Sequence, residues 1–185
     1  YVSLGAGATE EISYSYDVED SNGRSVSQTA TVTITGTNDA PTVSSAVVDA
    51  TTDASAMFTV DLLSGATDVD ATDTLTVSGL AVTSGDDSGI TINANNTLSV
   101  DPSAYASLGA GITEVISYSY DVEDSSGGSV AQTAAVTITG TNDAPTVSSA
   151  VVDSATDATA MFTVDLLSGA TDADATDTLT VSGLA

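Results

Sequence analysis

Two acidic segments have a spacing that favours cation binding. Both read Asp-x-Asp-x-x-Asp, and the second copy follows the first at a distance of 104 residues. Asp-x-Asp spacing places two carboxylates on one side of a turn, where a hard cation can use their oxygens. Calcium takes about six to eight oxygens from carboxylates, Asn side chains and backbone, in flexible geometry. The predicted calcium ligands of these two segments are Asp68, Asp70 and Asp73, with Asp172, Asp174 and Asp177.

The charge balance also favours a bound cation. The 185 residues include 26 acids, one base and no His or Cys, for a net charge of −25, and residues 41–144 contain 14 acids without any Lys or Arg. Carboxylates within about 10 Å of one another repel at 0.1 M salt and destabilise the compact state. The missing positive charge must therefore come from solution. Magnesium would use more water, and softer metals would use His or Cys. The alternative is that the acids are solvated loop residues that keep a β-protein soluble.

A second repeated motif indicates where folded units join. Residues Gly36–Pro41 and Gly140–Pro145 both read Gly-Thr-Asn-Asp-Ala-Pro. Each copy lies between runs of alternating apolar and polar residues, which are typical of strands. We therefore interpret Asn38-Asp39 and Asn142-Asp143 as the centres of two joints and as further calcium ligands.

The whole chain is organised by the same period. Residues 1–40 match 105–144 with seven differences, and residues 41–81 match 145–185 with four. A period near 100 suits a string of separate domains rather than a solenoid. We predict one complete repeat at 41–144, preceded by the C-terminal part of a repeat at 1–40. The N-terminal part of a following repeat occupies 145–185, so the sequence is expected to be an excerpt of a longer chain.

Short alternating runs predict the architecture of the repeat. A first strand is predicted at 42–48, a second with Ala54, Ala56, Phe58, Val60 and Leu62 on one face, and others near residues 75–77, 90–92, 98–100, 116–122 and 130–139. Asp101-Pro102 predicts a short helical turn, with Asp101 as the N-cap. About seven short strands in roughly 100 residues, with no long helical pattern, are the signature of an antiparallel sandwich.

This architecture would gather acids from separate segments at each joint. In a seven-strand sandwich, the B–C and F–G loops lie at the end where the chain enters, and the A–B loop lies at the other end. Asp121, Glu123 and Asp124 are placed in the F–G loop. The preceding domain would bring two further acids to the joint. One lies in its A–B loop, at the Asp49/Asp53 position, and the other is Glu10 or its equivalent, Glu114. The additional candidate ligands are Asp121, Glu123, Asp124, Asp17, Glu19, Asp20, Asp49, Asp53, Asp153, Asp157, Glu10 and Glu114.

Three further acids lie outside these clusters. Asp86 and Asp87, in a Ser-Gly-Asp-Asp-Ser-Gly loop, fit a further calcium ion and a solvated turn equally well. Asp61 occupies an outward strand position, where a carboxylate is solvated.

Several classes of partner are disfavoured. One Arg and no Lys leave no basic patch for nucleic acid or anionic membranes. No apolar run approaches the roughly 20 residues that span a bilayer. Paired carboxylates could hydrolyse glycosides, but no Trp, His, Cys or catalytic motif accompanies them. We therefore predict no enzymatic activity and no small-molecule substrate.

The two repeated motifs also carry a family resemblance. The segments Val136–Pro145 and Tyr120–Gly127 resemble the cadherin-like and VCBS-type repeats of bacterial RTX adhesins. The 104-residue period and the lack of Lys and His are similar to the extender regions of ice-binding adhesins. The resemblance implies tandem immunoglobulin-like sandwiches with calcium inside domains and at linkers. It also implies type I secretion to the bacterial cell surface and a stalk that projects a distal adhesive domain.

Two functions follow as hypotheses. The first is a calcium-stiffened structural extender whose partners are neighbouring identical repeats. The alternative is a binding module for carbohydrate or ice, which would use the row Thr29, Thr31, Thr33 and Thr35. Strand propensity also explains that row, and the equivalent row loses one member at Ala135.

Overall fold

The computed structural model describes residues 1–158 and 160–185 and is all-β, as predicted. Its only helical element among those residues is a 3₁₀ turn at Pro102–Tyr105, where Asp101 is the N-cap and accepts a hydrogen bond from Ser103 N. The predicted cap is therefore confirmed. The strands are β1 (Thr9–Glu19), β2 (Ser25–Thr35), β3 (Thr42–Val43), β4 (Val47–Thr52), β5 (Phe58–Asp61), β6 (Ala66–Thr67), β7 (Thr76–Ser84), β8 (Ile90–Asn93), β9 (Thr97–Val100), β10 (Thr113–Glu123), β11 (Ser129–Thr139), β12 (Thr146–Val147) and β13 (Ala170–Thr171).

The strands form sheets of the sandwich type. The largest sheet has the order β4-β11-β10-β7, and a three-stranded sheet has the order β5-β9-β8. Three two-stranded pairs, β1-β2, β3-β6 and β12-β13, complete the description. The predicted fold class, an antiparallel β-sandwich, is confirmed. No helix among residues 1–158 and 160–185 is long and apolar enough to cross a membrane.

The chain divides into two compact units. The first comprises Tyr1–Val47, Asp61–Ala81 and Tyr118–Ala134, and the second comprises Val48–Val60, Val82–Ser117 and Ala135–Ala185. The first unit contains the Gly36–Pro41 joint, and the second contains Gly140–Pro145. The predicted repeat boundaries after residues 40 and 144 stay a prediction.

The core follows the period of two along β10 and β11. Ile116, Tyr118, Tyr120 and Val122 are buried at alternate positions of β10. Their neighbours point outward and are polar or half-exposed. Alternation of this kind defines one buried face, because successive strand side chains point to opposite sides. In the first unit, Tyr120 Oη donates a hydrogen bond of 2.7 Å to the Leu62 carbonyl.

Two strand predictions need correction. Residues 42–48 form two strands rather than one, because the chain bends at Ser44 and Ser45 between β3 and β4. The second strand begins at Phe58, and Ala54 lies in a turn before it, where Ser55 N donates to the Thr52 carbonyl. Alternation alone did not reveal these breaks.

The position of two acids was also predicted wrongly. Asp121 and Glu123 belong to β10, not to the following loop, because the alternation of buried residues continues through Val122. Asp121 is exposed, while Glu123 is half-buried and accepts a hydrogen bond from Ser78 Oγ. The turn itself begins at Asp124.

Candidate metal centre

The first acidic segment is folded into a compact turn by its own carboxylates. Asp68 Oδ1 accepts a hydrogen bond of 2.8 Å from Asp70 N. This is the local side-chain-to-backbone bond that makes Asp a turn residue. Asp73 N then donates to the Asp70 carbonyl at 3.1 Å. As a result, the potential ligand atoms of Asp68, Asp70 and Asp73 lie within 4.8 Å of one another.

Asn38 and Asp39 of the first joint contact the acidic residues around this turn. Asp39 N donates to Asp70 Oδ2 at 2.8 Å, and Asn38 Nδ2 donates to Asp124 Oδ2 at 3.0 Å. Asp70 and Asp124 are both buried. The predicted convergence of the B–C loop, the start of the F–G turn and Asn38-Asp39 is therefore observed within the first unit.

Asp124 is fixed by the turn that follows it. Its Oδ1 accepts hydrogen bonds of 2.8 Å from Ser126 N and Gly128 N. The amide of Asn38, together with these backbone N–H groups, lowers the pKa of Asp124, and burial opposes that change. A side chain at position 128 would force these groups to shift, because a Cβ would lie 2.4 Å from Asp124 Oδ2 and 2.8 Å from Asn38 Nδ2.

Two serines that the sequence did not suggest complete the contact between the segments. Ser125 Oγ and Ser126 Oγ donate to Asp73 Oδ1 at 2.9 and 3.1 Å. They link the F–G turn to the end of the acidic segment. Serine is neutral and common in turns, so composition and spacing gave no signal for this role.

Several buried oxygens at this joint lack a hydrogen-bond partner within the protein. An unpaired buried polar atom costs about 1–3 kcal/mol, and more when it is charged. The carboxylates are also close enough to repel one another strongly. Oxygen donors of this kind, from carboxylates and one amide, fit a calcium ion. The four atoms are Asn38 Oδ1, Asp68 Oδ2, Asp70 Oδ1 and Asp73 Oδ2.

The second acidic segment repeats the same local geometry. Asp172 Oδ1 accepts from Asp174 N at 3.0 Å, and Asp174 Oδ2 accepts from Asp143 N at 2.9 Å. Asp177 N donates to the Asp174 carbonyl at 3.1 Å. Asp174 Oδ1 is again buried and unpaired. Within residues 1–158 and 160–185, these two triads are the groups of three or more acids whose ligand atoms are close enough to share one ion.

Asp53, a predicted ligand from the A–B loop, contacts the second joint. Asp53 is 5% exposed and accepts hydrogen bonds from Thr141 N and from Thr141 Oγ1, the latter at 2.7 Å. Asp53 N donates to the Thr139 carbonyl. Asp53 therefore reaches the joint as expected, but its carboxylate is engaged by Thr141. Asn142 Nδ2 donates to the Asp143 carbonyl at 2.9 Å.

A separate acidic loop surrounds Tyr105 in the second unit. Asp86 N donates to Glu114 Oε1 at 2.7 Å, and Tyr105 Oη donates to the Asp86 carbonyl at 2.7 Å. Burial raises the pKa of Tyr105, and the nearby charges of Asp86, Asp87 and Glu114 raise it further, while the Gly89 N–H opposes them. Glu114 thus contacts the Asp86 loop.

The remaining predicted ligands lie outside the two triads. Asp17 accepts a hydrogen bond from Ser27 Oγ. Asp20 accepts hydrogen bonds from the backbone N–H groups of Asn22 and Arg24. Asp49 and Asp153 each accept a hydrogen bond from the backbone N–H of the next residue. Their roles as ligands stay predictions. The other candidates with exposed side chains are Glu10, Glu19, Asp87 and Asp157.

Comparison with known proteins gave one family. The model of the cadherin-like domain matches residues 37–139, which is more than half of the chain. No curated protein matched.

Proposed function

The chain belongs to the cadherin-like domain family, and from this premise we propose that it is a calcium-stiffened structural extender. The predicted resemblance to cadherin-like repeats is confirmed. This is a non-enzymatic type of domain that acts in tandem and typically binds calcium. The extender role, the identity as an RTX adhesin repeat and export to a bacterial cell surface belong to the proposal.

The four buried, unpaired oxygens at the first joint are the observation that carries this proposal. Asn38 belongs to the joint, whereas Asp68, Asp70 and Asp73 belong to the segment that follows β6. An ion held by both would fix the direction in which the chain enters the repeat. Bound calcium would supply the positive charge that offsets carboxylate repulsion and would accept these oxygens as ligands.

The chain's own residues orient the ligands before any ion binds. The backbone N–H of Asp39 holds Asp70, and the serines of the F–G turn hold Asp73. Asp124 accepts hydrogen bonds from the side-chain amide of Asn38 and from a backbone N–H group of its own turn. Preorganised ligands lose less conformational freedom on binding, so these contacts favour a rigid joint.

An extracellular location is part of this proposal, and it is supported by the cadherin-like family. Extracellular modules bind calcium at about 10⁻⁴–10⁻³ M. We propose that the repeat is loose at cytosolic calcium levels and becomes rigid after export. No individual recognition surface is needed for that role, which agrees with the near-identity of the copies.

The test is removal of calcium from the full chain. We expect EDTA to lower Tm sharply and to broaden the distance distribution from small-angle X-ray scattering, with both recovered by excess calcium but not by an equal ionic strength of sodium. Unchanged melting and scattering in EDTA would refute the proposal.

A matched pair of variants identifies the site. Asp68 and Asp61 each accept a hydrogen bond from the N–H two residues ahead, at 2.8 and 3.0 Å. Asp68→Asn removes an unpaired buried oxygen, whereas Asp61→Asn makes the same charge change at an exposed position. Calorimetric titration should show weaker calcium binding only for Asp68→Asn. Equal effects would mean that net charge alone is responsible.

A further inference from the structure

A short loop before each joint contacts the acidic turn that follows the joint. In the second unit, Ala175 N donates a hydrogen bond of 3.1 Å to the Ser107 carbonyl. In the first unit, Ala71 N donates to the Ser3 carbonyl at 3.3 Å. Ser107 precedes the joint Gly140–Pro145 and Ala175 follows it, so this bond connects segments on opposite sides of the joint. The two bonds are equivalent, because their residues are 104 positions apart.

The loop contains a buried glycine whose nearest neighbour lies beyond the joint. A Cβ at Gly109 would overlap Thr176 Oγ1, and the next nearest atoms, Thr176 Cβ and Ile112 Cγ1, would lie at 3.6 and 4.0 Å. Gly111, two residues later, has a φ of 78° and no atom within 4 Å of its Cβ position, whereas Gly109 does not have a positive φ. Gly109 therefore permits the close approach of another segment, and Gly111 permits the turn itself.

The first unit has the same arrangement. A Cβ at Gly5, which is buried, would lie 2.7 Å from Thr72 Oγ1 and 3.7 Å from Asp70 Cβ. Both atoms belong to the acidic turn beyond the joint. The glycine at this position is therefore explained, in both units, by the segment that follows the joint.

The first residue of the joint fixes the position of the loop. Gly140 N donates to the Ile112 carbonyl at 2.7 Å, and Gly111 N donates to the Gly140 carbonyl at 2.9 Å. A Cβ at Gly140 would overlap the carbonyl oxygens of Leu108 and Gly109. The loop is therefore attached to the start of the joint by backbone contacts on one side and meets the acidic turn on the other.

The bond from the loop reaches the peptide next to a buried ligand. Ala71 directly follows Asp70, which is 2% exposed and has the unpaired buried oxygen Oδ1. The joint holds the Asp70 carboxylate through Asp39 N, and the loop holds the next peptide through the Ser3 carbonyl. The position of Asp70 Oδ1 therefore depends on the joint and on the segment before it.

We propose that residues 107–109, with their copies at 3–5, are a docking surface for the acidic turn beyond the joint. Its partner is the turn 174–176, or 70–72, of the adjoining repeat in the same chain. Recognition uses a backbone hydrogen bond and a glycine–threonine contact, and neither uses a carboxylate oxygen. Docking fixes the direction of the chain at the joint and the position of the buried carboxylate. Its second consequence, tighter calcium binding by a docked turn, rests on the proposed function.

A double-mutant cycle in the full chain tests the close contact. Gly109→Ala adds the methyl that overlaps Thr176 Oγ1, and Thr176→Ala removes that hydroxyl. In the double variant the new methyl lies 3.6 Å from the Cβ of residue 176, which is an ordinary contact. Hydrogen exchange of the Ala175 amide, measured by NMR, reports docking. We expect exchange about tenfold faster in Gly109→Ala and close to the parent rate in the double variant.

The chain offers two controls. Ala71 makes the equivalent bond in the first unit, where Gly5 is unchanged, so its exchange rate should stay the same in Gly109→Ala. Ala110→Ser adds one heavy atom at an exposed position of the same loop and should leave the Ala175 amide unchanged. An Ala175 amide that exchanges equally in Gly109→Ala and in the parent chain would overturn the proposal. So would a double variant without restored protection, or a parent amide that exchanges like an unstructured peptide.

Measurements with calcium and in EDTA separate this inference from the proposed function. Calorimetric titration should show calcium binding about threefold weaker at the second triad of Gly109→Ala, because its ligands are less preorganised. An exchange difference in EDTA, together with no calcium binding by the parent chain, would support docking and refute the calcium-stiffened extender. Calcium binding by the parent chain without any exchange difference would support the extender and refute docking.

Discussion

Residues 41–81 and 145–185 have nearly the same sequence but different structures. They differ at four positions, Ala50/Ser154, Thr51/Ala155, Ser55/Thr159 and Val69/Ala173. The first segment contributes to five strands, β3 to β7. Within 145–158 and 160–185 the strands are β12 and β13, with two residues each. Both segments nevertheless form the same acidic turn, with equivalent hydrogen bonds to the backbone of the joint.

The comparison separates local from tertiary determinants. The acidic turn is stabilised by bonds between residues two or three apart, so it forms wherever its sequence occurs. The longer strands need neighbouring strands to pair with. In the four-stranded sheet, β4 and β7 are the edge strands, and they pair with the central strands β11 and β10. An isolated strand leaves its backbone groups without ladder bonds and buries little apolar area. The acidic turn of the candidate metal centre is therefore encoded locally, whereas its contacts with the joint and the sandwich around it are not.

The largest expected difference in stability is between substitutions of Leu62 and Leu166, which occupy equivalent positions in the two segments. Leu62→Ala should cost about 2–5 kcal/mol, because it removes a buried side chain and leaves a cavity. Leu166→Ala should change the free energy of unfolding by no more than about 0.5 kcal/mol, since its side chain is 46% exposed. Urea unfolding at a concentration where the chain is monomeric measures both. Comparable losses would show that the second segment is as well packed as the first.

The next prediction concerns the buried carboxylate of the first triad. Asp70→Asn can keep the bond from Asp39 N while removing one charge and the ligand atom Oδ1. With calcium present, the variant should be less stable than the parent by about 1–3 kcal/mol, because a ligand is lost. In EDTA it should be more stable, because carboxylate repulsion falls.

Thermal unfolding of Asp70→Asn and of the parent chain, with calcium and in EDTA, measures this reversal in the sign of the stability difference. Asp61→Asn is the control, since its side chain is exposed. Asp174→Asn should weaken calcium binding at the second triad with little change in global unfolding, because few strands surround it. A variant of Asp70 that is destabilised equally with and without calcium would show that the carboxylate has a purely structural role.

A smaller effect is expected at a tyrosine that is buried in one hairpin and exposed in the other. Tyr120→Phe removes the hydrogen bond to Leu62 O and should cost about 1–2 kcal/mol. Tyr16→Phe should have no measurable effect on stability, because Tyr16 is 48% exposed.

The same tyrosine predicts a pH dependence. Burial and the charge of Asp61 raise the pKa of Tyr120 from 10.0 to about 12. A group whose pKa is raised by folding stabilises the folded state fully below its unfolded pKa. The contribution of Tyr120 is therefore complete below about pH 10 and is lost as pH rises through about 12. Urea unfolding from neutral to alkaline pH should show this loss in the parent chain but a shallower one in Tyr120→Phe. Identical slopes would assign the loss to other groups.

The sequence predicted the parts of the molecule that depend on local pattern. The period of two identified β8, β9, β10 and β11, and Asp101-Pro102 identified the 3₁₀ turn. Repetition of the joint, together with Asp-x-Asp spacing, identified both triads.

Two strand limits were missed for different reasons. The bend at Ser44 and Ser45, which separates β3 from β4, contains no Gly or Pro, whereas the full length of β10 could have been read from the alternation that continues through Val122. Contacts between residues far apart in sequence leave no trace in alternation. For the same reason, the role of Ser125 and Ser126 became visible only from their distances to Asp73.

The smallest expected effect tests the comparison directly. A chain with Ala50→Ser, Thr51→Ala, Ser55→Thr and Val69→Ala carries the sequence of residues 145–185 at positions 41–81. None of these four positions is fully buried, and Ser55→Thr keeps the hydroxyl that contacts Thr52 Oγ1 at 3.0 Å. Substitutions outside the core usually change stability by about 0.5 kcal/mol or less. Urea unfolding and amide hydrogen exchange should therefore show β4 and β5 as protected as in the parent chain. Loss of that protection would mean that these four residues, rather than the partners of each segment, decide where the strands form.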